Sequence, residues 1–326
     1  MILRIIYIPL IFFSISLQLK SQCFTSPGNP IAGTANIGTV GKKLLRGNLF
    51  YRYSFSDQYY EQDKKTDFIY YDKALYNYMG SMIAYGLSNR ITLEAEAGYF
   101  INKTIFYDER LPYTLPEYEK TGYGFTNAVT SIKYLLYNDD INRLKWSLGA
   151  GSKIPLRSKP QYSNGAILPV DVQPSAMAWG IVLQSFLLKE NSLKALRYFM
   201  INRYEYNFTN NQDFRWGQAL YTSLFISKHL HFRYEWLTEN WTAIMQVRHE
   251  YRAHNFNYNL EEPMVNGSGG HLLLLVPQLN YTIREKWNVS LLAEIPVYKY
   301  YNEVQLANKF ALTFNITGDI ILNDNQ

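Results

Sequence analysis

The stretch Arg90–Asn102, RITLEAEAGYFIN, decides how this chain is read. Ile91, Leu93, Ala95, Ala97, Tyr99 and Ile101 alternate with Thr92, Glu94, Glu96, Gly98, Phe100 and Asn102. Successive side chains of a strand point to opposite faces, so the segment carries one apolar and one mostly polar surface. As a helix it would scatter its two glutamates and show no clean apolar stripe. It reads as a strand.

The same period of two recurs along the chain. Leu144, Trp146, Leu148, Ala150, Ile154 and Leu156 oppose Arg143, Lys145, Ser147, two glycines and Lys153. Trp241, Ala243, Met245, Val247 and Tyr251 oppose Gln246, Arg248, Glu250 and Arg252. Trp287, Val289, Leu291, Ala293, Ile295 and Val297 oppose Asn288, Ser290 and Glu294. A last strand sets Leu306, Phe310, Leu312, Phe314 and Ile316 against Lys309, Thr313 and Asn315. In HLLLLVPQLNY (His271–Tyr281), Leu273, Leu275, Pro277, Leu279 and Tyr281 take the apolar face. Leu272, Leu274 and Val276 take the other, followed by Gln278 and Asn280, so that face changes from apolar to polar along the strand.

The connections alternate in length. Short polar turns fall at Ser88–Arg90, Asn138–Asn142, Lys189–Ser192 and Arg284–Lys286. Long polar loops fall near Ser56–Asp72, Tyr107–Thr121, Ser158–Val170 and Asn257–Gly270. Short turns at one end and long loops at the other are the signature of an all-β, antiparallel transmembrane β-barrel, with periplasmic turns and extracellular loops. Strand starts near Leu44, Lys73, Arg90, Gly122, Arg143, Asp171, Leu193, Phe214, Trp241, His271, Trp287 and Val304 suggest about twelve strands. Ser227–Asn240 is read as an extended connection at the short-turn end, which keeps the total even. A soluble β-sandwich would also alternate. Its solvent face should carry more charge, whereas here Gly, Ser, Asn and Thr are frequent on the polar face.

The first residues, MILRIIYIPLIFFSISLQLKSQ, hold Arg4 and then an apolar run from Ile5 to Leu17, too short for a comfortable membrane helix and suited to a signal peptide. The expected division is a signal peptide at 1–21, an irregular lead-in and candidate plug at 22–43, and a barrel with a short C-terminal tail at 44–326. Cys23 is the only cysteine, which excludes an internal disulfide. Its lipidation would want a small residue before it, and Gln22 stands there. The 29 tyrosines suit pleated surfaces and membrane–water interfaces. A net charge of +5 made of scattered bases leaves no nucleic-acid footprint. Lipid is the expected partner, together with a small solute.

In a barrel the polar face lines the lumen. That places Arg46, Arg52, Glu94, Glu96, Lys145, Lys153, Arg197, Arg203, Glu205, Arg248, Glu250, Arg252, Glu294 and Lys309 inside. They either line a pore or pair with one another and close it, since opposite charges in a low-dielectric lumen offset their desolvation by pairing. Leu272, Leu274 and Val276 would form an apolar inner patch. Glu94 and Glu96 stand about 7 Å apart on one face, but partners on the next strand suit them better than acid–base work. The His229-x-His231 step lacks an acidic cluster, so no metal site is expected. His249 falls on the lipid side without a serine in the pattern of a barrel hydrolase. No cofactor motif occurs, and an enzyme is not expected.

Three stretches carry a resemblance. TGYGFTNAVTSIKYLLY, LGAGSKIPL with NGAILPVDVQPSAMAWG, and the segment from NGSGGHLLLLVPQLNY to FALTFNI resemble bacterial outer-membrane barrels named for the meta-pathway of phenol degradation. The lead-in CFTSPGNPIAG is similar as well. Asn127 and Gly180 stand where acidic residues are usual, and Ser175–Ala176 replaces a glycine-bearing step. The resemblance implies a channel or transporter for small organic compounds. The expected function is therefore an outer-membrane channel for small, hydrophobic or aromatic molecules. The solute would pass through the lumen or through a gap at Pro174, Pro277 or Pro296, where proline removes a ladder donor. The rival reading is a structural or recognition barrel with a closed lumen and partner-binding loops.

Overall fold

A computed structural model of the protein describes residues 38–68, 70–110, 118–230, 240–284 and 286–322. The expected signal at 1–21, Cys23, the lead-in before Gly38, most of Ser227–Asn240 and the last four residues lie outside the described residues.

From the N-terminal side, β1 (Leu44–Gln62) folds back as the short β2 (Lys64–Thr66), and β3 (Tyr71–Gly86) and β4 (Ile91–Tyr107) follow. Then come β5 (Glu119–Phe125), β6 (Asn127–Asp139) and β7 (Leu144–Pro155). A long loop carries the small hairpin of β8 (Tyr162–Ser163) and β9 (Ala166–Ile167) and a 3-10 turn, Val170–Val172. The chain continues through β10 (Gly180–Asn191), β11 (Leu196–Asn207), β12 (Phe214–Arg215), β13 (Ala219–His229) and β14 (Trp241–Arg252). It ends with β15 (Asn255–Asn257), β16 (Met264–Val265), β17 (Gly270–Ile283) and β18 (Trp287–Ile321).

Eleven strands close an antiparallel ring in the order β1, β3, β4, β6, β7, β10, β11, β13, β14, β17, β18, with β18 returning to β1; β2 and β5 are attached outside it. The difference from the expected count lies in β18. This element is 35 residues long; Trp287–Tyr301 pairs with β17 and Val304–Ile321 with β1. The chain reverses between Tyr301 and Val304, and Asp319 N donates to Lys286 O at 3.1 Å across the base of that reversal. One element thus supplies two neighbouring staves, and both ends of the ring meet where Leu44 pairs with Ile321.

Which face is buried separates this barrel from a soluble sandwich. Leu93 is 38% exposed and its neighbour Glu94 only 5%. Ile83, Ile132, Leu148, Met245, Leu291 and Phe314 are likewise exposed, while Arg52, Lys153, Arg248 and Glu294 are buried. An apolar outer wall around a polar interior is stable only where the outside is hydrocarbon. Among the described residues no helix is long and apolar enough to cross a membrane.

Three strand starts are corrected. Gly122 lies in β5, outside the ring, and the ring strand begins at Asn127. Asp171 lies in the 3-10 turn, and its barrel strand begins at Gly180. The alternation of Val170-Asp171-Val172 imitates a strand, but Pro169 and Pro174 flank it and cannot donate to a ladder. Phe214 lies in β12, which pairs with β15; β15 pairs with β16 to make a separate three-stranded sheet, and the barrel strand begins at Ala219. Ser56–Asp72, expected as a loop, is mostly a strand extension: β1 runs to Gln62 and β3 starts at Tyr71.

Candidate functional site: the lumen

The inner face of the opening stretch shows how the lumen is filled. Thr92, Glu94 and Phe100 are buried on β4. Gly98 makes room on the same face, because a Cβ there would overlap the Tyr78 hydroxyl; one at Gly80 would overlap the Phe50 ring. Phe50, Tyr76, Tyr78 and Phe100 pack as an aromatic cluster, with ring centroids 4.9–5.7 Å apart in the pairs Tyr78–Phe100, Tyr76–Phe100 and Phe50–Tyr78. A second apolar cluster, Phe186, Phe199, Ile201, Phe225 and Ile244, lines β10 to β14. Sequence reasoning missed both. The available signal was position: Phe100, Phe186 and Phe199 hold inward places in their strands.

The inward charges gather into two groups. Arg52 donates from both Nη atoms to Glu294 at 2.8 and 2.7 Å, and Arg248 Nη2 donates to the same carboxylate at 2.5 Å. Arg248 Nε lies 2.9 Å from Glu250, which also accepts from Arg252 at 3.0 Å. In the second group Lys133 donates to Glu94 at 2.6 Å. Arg203 donates to Glu96 and to Glu205 at 2.7 Å each, and Lys153 to Glu205 at 2.7 Å. Lys133 was not anticipated, although it shares an inward face with Asn127, Val129 and Ser131. Glu94 and Glu96 each hold a base, which removes them as an acid–base pair.

Four of the expected lumen charges stand apart from these two groups, although Arg46 keeps the inward face of Asn48 and Arg52. Arg46 pairs with Asp319 at 2.6 Å near the short-turn end, where β1 meets the end of β18. Lys145 is exposed at the base of β7. Arg197 is 62% exposed and pairs with Glu190 at 2.9 Å. These two lie where the strands run out of the closed wall into the turns. Lys309 is 45% exposed and holds Asp57 at 2.6 Å beside the Phe55 ring. The β1–β18 register shifts on both sides of Ser56, and such a bulge turns a side chain to the other face.

Leu274 and Val276 are buried together with Leu292, and Leu272 packs on them. Of the three prolines, Pro174 lies in the loop before β10, not in the wall. Opposite β18, the ladder of β17 passes from Leu275–Ile295 to Gln278–Leu292 without pairing Val276 and Pro277, while Pro277 pairs with Met245 of β14 on its other side. Pro296 pairs with Leu274 beside a register shift.

Two segments enter the lumen. The loop between β7 and β10 is tied to the inner wall. Lys103 Nζ donates to Gln173 O at 3.1 Å. Asn127 Nδ2 donates to Ala178 O at 2.7 Å, and its Oδ1 accepts from Ser175 Oγ at 2.8 Å and Ala176 N at 3.2 Å. A Cβ at Gly122 would overlap Val172 O. Two of the stretches quoted for the resemblance therefore bind each other. In this loop burial pushes the Asp171 carboxyl up to about 7, against the pull of Lys103. At the other end, Val40 N donates to Thr92 Oγ1 at 2.9 Å and Gly38 packs on the Phe186 ring. The described part of the lead-in thus crosses the short-turn mouth.

His229 contacts Thr242 at 3.4 Å, and His231 lies outside the described residues. Among the described residues no group of three or more His, Cys, Asp or Glu side chains could hold a metal ion.

No family model matches this chain. No curated protein matches it by sequence. Its fold is similar to that of an outer membrane channel from Pseudomonas putida F1, at 10% identity over 89% of this chain and 100% of that one, with a TM-score of 0.65. It is more distantly similar to the NanC porin (10% identity, 86% and 100% covered, TM-score 0.44). A FadL homologue from Pseudomonas aeruginosa is also similar (8% identity, 86% and 91% covered, TM-score 0.44). The chain has the fold of bacterial outer-membrane β-barrels, and its apolar outer wall is that of a membrane protein.

Proposed function

We propose that this protein is an outer-membrane channel for small molecules with apolar or aromatic character. The observation that carries the reading is the two-sided lumen wall. Buried ion pairs alternate there with packed apolar clusters: Leu272, Leu274, Val276 and Leu292, and the rings of Phe50, Tyr76, Tyr78 and Phe100. A purely structural interior would be served by pairing alone. Here Arg52 Nε, Arg203 Nη2 and Arg252 Nε are buried without a protein hydrogen-bond partner among the described residues, so the ion pairs leave donor capacity inside the barrel that pairing alone does not use. The shared fold with the Pseudomonas putida F1 channel and the resemblance to meta-pathway barrels support the same reading. Arg203 to Glu96 and the inserted loop narrow the path, which makes a small or gated pore the expected form.

The second reading, a closed recognition barrel, is favoured by the same cross-lumen pair. Planar-bilayer recording separates the two. Single-channel steps from folded protein, and faster flux of a neutral aromatic probe into vesicles, are expected for the channel. Silence in both assays would leave the closed barrel.

A further inference from the structure

Two imidazoles meet on the outer wall, away from the lumen. His249 of β14 and His271 of β17 lie on neighbouring strands, with His249 Nε2 3.3 Å from His271 Nδ1. Their ring planes are 21° apart and the centroids 5.5 Å apart. His249 alternates with buried Arg248 and Glu250 and shares its face with exposed Met245 and Val247, so it points outward. The step from Trp241 to His249, at about 3.3 Å per residue and a tilt of about 40°, rises roughly 20 Å. The apolar band of such barrels is about 25 Å tall, which places the pair near the extracellular membrane–water interface. The rings of Tyr251 and Tyr300 flank His271 at 4.9 and 6.2 Å.

We propose that His249 and His271 form a two-imidazole site for a borderline divalent transition cation of the zinc class, with water completing the shell. Imidazole suits such ions, whereas calcium and magnesium seek oxygen ligands. With zinc–nitrogen distances of about 2.0–2.1 Å, two corners of a tetrahedron lie about 3.3–3.4 Å apart. The nitrogens already stand at that separation. The ladder on either side, Arg248 with Leu274 and Glu250 with Leu272, holds both backbones in place, so binding orders no loop. A hydrogen bond between the imidazoles is the competing account of the same distance, and it predicts no affinity for metal.

The test uses the full folded chain in detergent, without a histidine tag, at about pH 7.5, where imidazole is mostly neutral. Titration with zinc chloride should show one equivalent bound. His249→Ala and His271→Ala should each weaken binding at least about tenfold. His229→Ala and His254→Ala should bind as the parent does. Heat-modifiable migration verifies that each variant folds. Should a variant fail to fold, the unaltered protein supplies a second readout: zinc should protect both imidazoles from carbethoxylation. No zinc uptake by the parent protein, unchanged affinity in either alanine variant of the pair, or absence of protection would overturn the proposal.

Discussion

Arg203 donates to Glu96 at 2.7 Å although their strands, β11 and β4, are separated in the ring by β6, β7 and β10. Neighbouring strands cannot provide this bond. It crosses the lumen, and it links the Glu205–Lys153 pair on one side to the wall that carries Glu94 and Lys133 on the other. Arg203 is buried, so the bond has little competition from bulk water.

Removing one partner should therefore have two effects. Arg203→Ala takes the base from half-buried Glu96 and one of two bases from buried Glu205, and the loss of one member of a buried pair destabilises by about 3–5 kcal/mol. It should also widen the path and raise single-channel conductance. Arg203→Met with Glu96→Met should recover much of the stability in urea titration. If the double variant is as unstable as the single one, the cross-lumen pair is not the cause.

The outer wall makes a separate prediction. Ile132 is 58% exposed near the middle of β6, where the wall faces lipid. Ile132→Arg should lower unfolding stability in bilayers by about 2–4 kcal/mol. The same change at Leu193, fully exposed at the short-turn end, should have little effect. Equal effects at both sites would contradict a membrane-embedded wall.

The inner apolar patch bears on the solute. Leu274→Ser should reduce flux of a neutral aromatic probe by about tenfold or more, since a leucine transfer free energy of about 1.5–3 kcal/mol corresponds to a factor of roughly 10 to 150. Ionic conductance should change far less, because Leu274 lies outside the ion-pair groups. Vesicle uptake and bilayer recording on one preparation would separate these responses. A matching fall in both would point to a folding defect instead.

Asp171 gives the pH dependence. Its carboxyl is raised to about 7 in the folded loop, above the ordinary value of 3.8. A group raised on folding stabilises most fully below its unfolded pKa, and that contribution is lost as pH rises through the folded value. The barrel, with its loop seated, should lose thermal stability between about pH 4 and 7, at up to about 1.4 kcal/mol per pKa unit. Asp171→Asn should flatten that slope. Melting midpoints measured across the window check it; an unchanged slope in the variant would remove Asp171 as its source.

Much of this architecture was legible from Arg90–Asn102 outward. Alternation is a property of the local backbone, so the sequence by itself determined that strands form and which residues share a face. Glu94, Lys153, Arg248 and Leu274 lie on the inner side for that reason. Tertiary structure decided what alternation cannot encode. A bulge beside Ser56 turned Lys309 outward, and one 35-residue element became two staves. The alternating run around Asp171 folded into the lumen because Asn127, Lys103 and Gly122 receive it there. Arg203 found Glu96 only because the ring closes and brings distant walls within reach of a long side chain. The period of two acts between adjacent residues, whereas contacts across a lumen depend on ring closure, register and loop entry.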